Sequence, residues 1–137
     1  MNVLSTKRLL LSCAVLAGAL HAVPASAADA GFPFEQEFLL DAKPLRGTKR
    51  MPTLEVGSAG GLALDLWCSV VKGQAIVVND TITIMAGPKT ERNCPADQSR
   101  EDDALLAALA DVDRWRREGN DLILVGPKTL RFRVPTN

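Results

Sequence analysis

Two cysteines, Cys68 and Cys94, are the side chains with the clearest chemical consequence in this sequence of 137 residues. A third, Cys13, lies in an N-terminal segment that we expect to be removed, so only this pair would reach an oxidising compartment. We therefore predict a disulfide between them. Free or catalytic thiols are the alternative, although neither cysteine belongs to a Cys-x-x-Cys motif. A zinc site is disfavoured, since two sulfurs without histidine make an incomplete tetrahedral site.

Histidine would be missing from the mature chain, because the one histidine, His21, lies in the same N-terminal segment. A chain without imidazole lacks Ser-His-Asp and Cys-His activation of a nucleophile, histidine-ligated metals and the commonest proton carrier near neutral pH. Its serines also lie outside Gly-x-Ser-x-Gly motifs. We therefore predict no catalytic residue, no metal site and no cofactor, and a role other than that of an enzyme.

An acidic cluster, Glu101, Asp102 and Asp103, could serve as general acid and base or bind calcium. Its spacing lacks the Asp-x-Asp-x-Asp-Gly loop of an EF-hand. Ser99 followed by Asp102 has the spacing of a capping box, and the helix macrodipole favours negative charge at a helix N-terminus. We therefore interpret the cluster as the start of a helix.

Two tryptophans are candidate contacts for a ligand or a protein partner. A continuing strand would place Trp67 on the face of Asp65, opposite Leu64 and Leu66, which predicts an outer or groove-lining position. Trp115 stands among three arginines. Large aromatic side chains more often fill or shield a core, so packing is the alternative for both Trp67 and Trp115.

Residues 1–27 have the profile of a removable secretory signal. Lys7 and Arg8 precede a short apolar run, which falls below the ~20 residues that a membrane-spanning helix needs. We therefore expect export to the periplasm or the medium, with no transmembrane segment after processing.

Cleavage of the signal is expected near Ala27, because Ala25-Ser26-Ala27 fits the small-x-small rule of signal peptidase. Ala28 and Ala30 are the neighbouring alternatives. A lipoprotein is the competing interpretation, since Leu10-Leu11-Ser12-Cys13 resembles a lipobox. The apolar run continues beyond Cys13, however, which favours soluble export.

Charge and length limit what the mature chain can be. Loss of Lys7 and Arg8 leaves 14 basic residues against 16 acidic ones, a net charge near −2. Such a chain lacks the basic footprint of a nucleic-acid-binding protein. Its length corresponds to one domain, and we expect a monomer.

Alternation with a period of two dominates the mature chain and predicts half-buried strands. Asn79-Asp80 and Gly126-Pro127-Lys128 are predicted hairpin turns, and Gly57–Gly61 is predicted to be a flexible hairpin loop. Inward positions are Ile82, Ile84, Leu130, Phe132 and Val134. The predicted strands are Glu37–Leu40, Thr53–Val56, Leu62–Cys68, Ala75–Val78, Thr81–Met85, Val112–Arg116, Leu122–Val125 and Leu130–Val134.

One segment has helical spacing, with Leu105, Leu106, Leu109 and Val112 recurring at i, i+1, i+4 and i+7. It predicts one amphipathic helix of about three turns. The fold class is therefore mainly β (α+β): an antiparallel β meander or open barrel with one packed amphipathic helix.

Several features in this order resemble the META domain family, whose bacterial representative is the heat-shock protein HslJ. Leu62–Cys68, Gly73 and the following hairpin are similar to the family's "GCN…G.Y…..L.I" segment. Met85–Cys94 is similar to the segment ending in "T.MAC", Glu101–Val112 to the helix, and Trp115–Phe132 to the closing hairpin. Trp67-Cys68-Ser69 replaces Gly-Cys-Asn, and Lys89–Asn93 replaces Thr-x-Met-Ala before the second cysteine.

The resemblance implies a compact, barrel-like antiparallel structure with one helix, and it also implies the disulfide. It supplies no catalytic residues, because the family has none established, and it associates the chain with heat shock and antibiotic tolerance. We divide the chain into a signal (1–27), an N-terminal segment with the first strand (28–43) and the META/HslJ-like domain (44–137). The expected role is envelope maintenance or stress tolerance through binding an envelope protein or a small apolar ligand. The alternatives are a small-molecule-binding barrel with an internal pocket and a hydrolase or redox enzyme.

Overall fold

The computed structural model describes residues 31–136, so the predicted secretory signal and its cleavage site lie outside the described residues. Eight strands and one helix follow one another along this part of the chain. Their bounds are β1 (Phe38–Leu40), β2 (Thr53–Val56), β3 (Gly61–Asp65), β4 (Ser69–Val78), β5 (Thr81–Glu91), α1 (Ala96–Ala110), β6 (Arg114–Glu118), β7 (Asp121–Val125) and β8 (Leu130–Arg133).

The strands form a closed antiparallel barrel in which each strand pairs with the next and β8 pairs with β1. The predicted meander with one packed helix is confirmed, and the meander closes on itself. Its thinnest seam is between β5 and β6, which share the single register pair Thr81 and Arg114. Helix α1, which connects these two strands, packs on β5 and contributes Leu105 and Leu109 to the core.

Alternation of side chains builds the core, because successive residues of a strand point to opposite faces. The inward residues of all the strands except β6 join one buried cluster, as predicted for Ile82, Ile84, Leu130 and Phe132. Val134 lies just beyond β8 and packs against the cluster while only partly buried. The barrel interior is therefore filled by side chains.

The β4–β5 hairpin turns at the predicted Asn79-Asp80 pair. Asn79 has φ of +53°, a left-handed conformation that asparagine tolerates better than most residues. A register shift between Val71 and Gly73 interrupts the hairpin's ladder. There a β-carbon at Gly73 would collide with the carbonyl oxygen of Met85, so the close approach of the two strands requires glycine.

Helix α1 begins earlier than predicted, and the capping-box interpretation is wrong. Pro95 occupies the N-cap position without a side-chain capping bond, so Ser99 and Asp102 lie inside the helix. The helix places Gln98, Asp102, Leu105 and Leu109 on its buried side. Because the first two of these are polar, an apolar pattern cannot reveal the first half of the helix.

Several strand boundaries also differ from the prediction. β4 begins at Ser69 and not at Ala75, and β5 continues to Glu91 and not only to Met85. β3 ends at Asp65, so Leu66 and Cys68 are buried in a loop and not in a strand. Val112 follows α1 and is buried before β6 begins at Arg114. No helix in the described residues is long and apolar enough to span a membrane.

Candidate functional site

A cleft opens where the end of β1, the β3–β4 loop, α1 and the β7–β8 loop meet. We call it the mouth cleft, and its volume is about 230 Å³. Its apolar surface comes from β1 and the segment after it, the β3–β4 loop, α1 and the start of β8. The lining residues are Leu40, Asp41, Ala42, Lys43, Leu45, Trp67, Glu101, Ala104, Leu105, Lys128, Thr129, Leu130 and Arg131.

Trp67 forms the wall of the mouth cleft on the β3–β4 loop. The loop is tight, because the Leu66 amide donates to the Ser69 carbonyl at 2.8 Å. Trp67 is 7% exposed, more buried than an outward position on a continuing strand would be, since β3 ends at Asp65. Its indole Nε1 is buried and finds no hydrogen-bond acceptor among the described residues.

The disulfide between Cys68 and Cys94 ties this loop to the start of α1. Their Cα atoms are 5.9 Å apart, and Pro95 and the helix follow the second cysteine directly. Cys68 is 1% exposed, whereas Cys94 is partly exposed. The linkage fixes the distance between Trp67 and the helix, which are two walls of the mouth cleft.

Asp102 makes a second connection between the helix and the loop. Its carboxylate is fully buried and accepts the Cys68 amide, with Oδ2 at 3.1 Å and Oδ1 at 3.3 Å. A charge-assisted hydrogen bond of this kind is stronger than one between neutral groups. Asp102 therefore holds the residue next to Trp67, although the sequence suggested a capping role for it.

The acidic cluster is dispersed in the structure. Glu101 lines the mouth cleft, Asp102 faces the core, and Asp103 accepts a hydrogen bond from Lys89 at 2.6 Å. Lys89 also contacts Glu91. These two carboxylates raise the pKa of Lys89, Asp103 contributing most. Within residues 31–136, no group of three or more His, Cys, Asp and Glu side chains is arranged to hold a metal ion.

Charged side chains form the rim of the mouth cleft. The Arg131 guanidinium contacts Asp121 and Glu118, and Asp41 lies 3.8 Å from Arg133. The hydrogen bonds that the guanidinium donates to Asp121, and then to Glu118, raise the pKa of Arg131. The remaining three charged lining residues have no oppositely charged partner within 4.0 Å in the described part of the chain. They are Lys43, Glu101 and Lys128.

Trp115 lies at the other end of the barrel and does not join Trp67. Its Nε1 donates to the Asn79 carbonyl at 2.8 Å, and its ring meets Phe32 edge to face with 5.0 Å between centroids. We call this group, with Phe34 beside Phe32 at 4.9 Å, the sealed end. Trp115 has partners for both its ring and its N–H group within the chain.

Sequence reasoning did not find most of the mouth cleft. Lys43 and Leu45 follow β1 in a segment without periodicity, and Lys128 belongs to a loop that was predicted only as a turn. The one available signal was Trp67 beside a cysteine at a strand end.

Comparisons with known proteins agree with this architecture. A solved NMR structure of a Burkholderia xenovorans protein is similar in fold, with a TM-score of 0.61, 20% identity, and coverage of 86% of this chain and all of that one. A second NMR structure gives a TM-score of 0.58 at 20% identity, covering 72% of this chain and 88% of its own. A search of curated proteins finds no match.

The sequence description of the META domain matches residues 34–135, well over half of the chain. This range includes every strand of the barrel, β1 among them, and the helix. It also contains the disulfide and both tryptophans. The chain therefore belongs to the META domain family.

Proposed function

We propose that this protein is exported and acts as a non-catalytic binding domain in envelope maintenance or stress tolerance, with the mouth cleft as its binding site for a small apolar ligand. The observation that carries the proposal is the cleft itself: an apolar hollow walled by a tryptophan whose loop is held by a disulfide and by Asp102. Ligand sites typically are concave and mostly apolar with a few polar groups.

The size of the cleft supports a small ligand. An apolar cavity of about 150 Å³ holds benzene, so a volume of about 230 Å³ accommodates a substituted ring or a short alkyl chain. An open cleft of this size, where several elements meet, is a candidate site.

The Cys68–Cys94 disulfide supports export, because such bonds persist in oxidising compartments. The association of the family with heat shock and antibiotic tolerance supports a role in the envelope. An envelope protein as the partner stays a prediction.

Binding is tested by titrating the ¹⁵N-labelled mature protein with octan-1-ol and following the two indole N–H signals. We expect the Trp67 signal to shift and the Trp115 signal to stay, because only Trp67 lines the cleft. Ala104→Phe should fill the cleft and weaken binding about tenfold. Ala107→Phe, at an exposed position of the same helix outside the cleft, should not. Equal effects of the two variants, or an unmoved Trp67 signal, would contradict the proposal.

Export is tested separately by fractionating cells that express the full chain and measuring the mass of the product. We expect a chain beginning near Ala28 in the envelope fraction, with both Cys68 and Cys94 resistant to alkylation. An intact N-terminus in the cytosol with two alkylatable thiols would reject export.

A further inference from the structure

At the rim of the mouth cleft, the charges that lack an oppositely charged neighbour in the described residues do not cancel one another. Arg131 and Asp41 each have an oppositely charged neighbour. Of the three lining residues without one in the described part of the chain, Lys43 and Lys128 are cationic and Glu101 is anionic. The uncompensated charge at the rim is therefore positive, although the mature chain carries a small net negative charge.

Trp67 contributes an aromatic ring to the wall of the cleft, while its N–H group is buried. Trp67 is more than nine-tenths buried, and its Nε1 has no acceptor among residues 31–136. A buried N–H group without a partner is unfavourable, and an indole nitrogen can only donate. This nitrogen is itself buried, so Trp67 offers a ligand its ring and not its N–H group.

The apolar part of the cleft limits the remainder of the ligand. Leu40, Leu45, Leu105 and Leu130 surround the hollow together with Trp67. These surfaces favour a hydrocarbon group, and the volume of about 230 Å³ excludes a long lipid chain or a folded peptide segment.

We propose that the ligand of the mouth cleft is a small apolar carboxylate, an aromatic or short-chain acid. Its hydrocarbon group lies against Trp67 and Leu105, and its carboxylate is within reach of Lys43 and Lys128. This inference rests on the proposed function, since it names the chemical class that the same cleft takes. Lysine supplies a flexible point charge, which suits an anion held at the rim of a cleft.

The test compares three probes that share one alkyl chain: octanoate and octylammonium, each below its micelle-forming concentration, and octan-1-ol below its solubility limit. Dissociation constants come from the Trp67 indole shift of the mature protein at low salt, with the Trp115 indole as the internal reference. We expect octanoate to bind about three- to tenfold more tightly than octan-1-ol, as for exposed charge pairs. Octylammonium should bind more weakly than either.

The lysines are tested by the double variant Lys43→Gln/Lys128→Gln, which should bind octanoate and octan-1-ol equally. Lys72→Gln, an exposed lysine on β4 outside the cleft, is the matched control and should keep the preference. Added salt should reduce the preference of the wild-type protein because it screens exposed charges.

Each outcome separates the two proposals. Equal binding of octanoate and octan-1-ol by wild type, or tighter binding of octylammonium, overturns the carboxylate proposal and leaves the apolar cleft standing. An unmoved Trp67 indole with all three probes overturns both. A preference that survives in the double variant overturns the assignment to Lys43 and Lys128.

Discussion

The two ends of the barrel each contain a tryptophan, but they are completed in different ways. β4 runs from the Trp67 loop to the Asn79 turn, so the mouth cleft and the sealed end lie at opposite ends of the barrel. At the sealed end, Trp115 donates to Asn79 and packs on Phe32. At the mouth cleft, Trp67 borders open volume and its N–H group has no acceptor in the described residues.

This difference sets the packing role of Trp115 beside the ligand contact that we propose for Trp67, although the residue type is the same. The aromatic groups of the sealed end have their partners within the chain, so their contribution is to stability. The mouth cleft keeps apolar surface that the chain itself does not cover. Residue type alone therefore does not separate the two tryptophans, whereas the surroundings of each ring do.

Removing the disulfide, which holds the Trp67 loop at one end of the barrel, should cause the largest loss of stability. For Cys68→Ala/Cys94→Ala we expect the free energy of unfolding to fall by about 3.5 kcal/mol, because the open chain gains entropy when unfolded. Urea denaturation measures the loss. The Trp67 indole signal should shift as its loop loosens while the Trp115 signal stays, and the reverse pattern would show that the two ends are not independent.

At the sealed end, Phe32→Ala should lower the free energy of unfolding by about 3 kcal/mol, since Phe32 is 9% exposed and contacts Trp115. Phe34→Ala is the matched control. Phe34 is 40% exposed, so its loss should stay below about 1 kcal/mol. Urea denaturation of both variants measures the two losses in the free energy of unfolding. Equal losses would mean that Phe32 does not seal this end of the barrel.

The same substitution at both tryptophans compares the two ends directly. Trp115→Phe removes the hydrogen bond to Asn79 and should cost about 1 kcal/mol. Trp67→Phe removes a buried donor that has no partner, so its gain should offset the lost packing and leave the stability nearly unchanged. Thermal or urea unfolding measures both changes in stability. A clearly larger loss for Trp67→Phe than for Trp115→Phe would imply that the Trp67 N–H group is satisfied in solution.

The fold was predictable from the sequence because most strands follow simple alternation. The turn at Asn79, the inward Ile82 and Ile84, and the closing hairpin were all found in this way. Alternation fails at Ile123, which points outward from β7 yet is 1% exposed. Arg116 and Arg131 stand directly opposite it on the neighbouring strands, and their long side chains can cover apolar surface.

The mouth cleft was less predictable, for physical reasons that particular residues show. Asp102 reads as a helix cap, but its carboxylate binds the Cys68 amide, which is 34 positions away in sequence. Lys43 and Lys128 come from loops that meet only when the barrel closes. Trp67 was found as a candidate, but its burial follows from the end of β3 at Asp65, two residues before it. Sites made by loops from distant strands leave no local pattern.

The smallest expected effect is on the pKa of Glu118, which pairs with Arg131 at the rim of the mouth cleft. Side-chain hydrogen bonds from Arg116 and then Arg131 hold the pKa of Glu118 below its ordinary value of 4.5. A carboxyl group whose pKa is lower in the folded state stabilises the fold above its unfolded pKa, and this contribution is lost as the pH falls through the folded pKa.

The ¹³C shift of the Glu118 carboxyl group, followed between about pH 2 and about pH 7, measures its pKa. We expect a value below 4.5 in the wild type and a rise toward it in Arg116→Gln. Arg114→Gln, which removes an arginine that pairs with Asp80 instead, should leave it unchanged. Glu118 ionised at neutral pH keeps Arg131 engaged on the outer face of the barrel, so that Lys43 and Lys128 remain the cations available at the cleft. An unshifted Glu118 would mean that Asp121 alone holds Arg131 there.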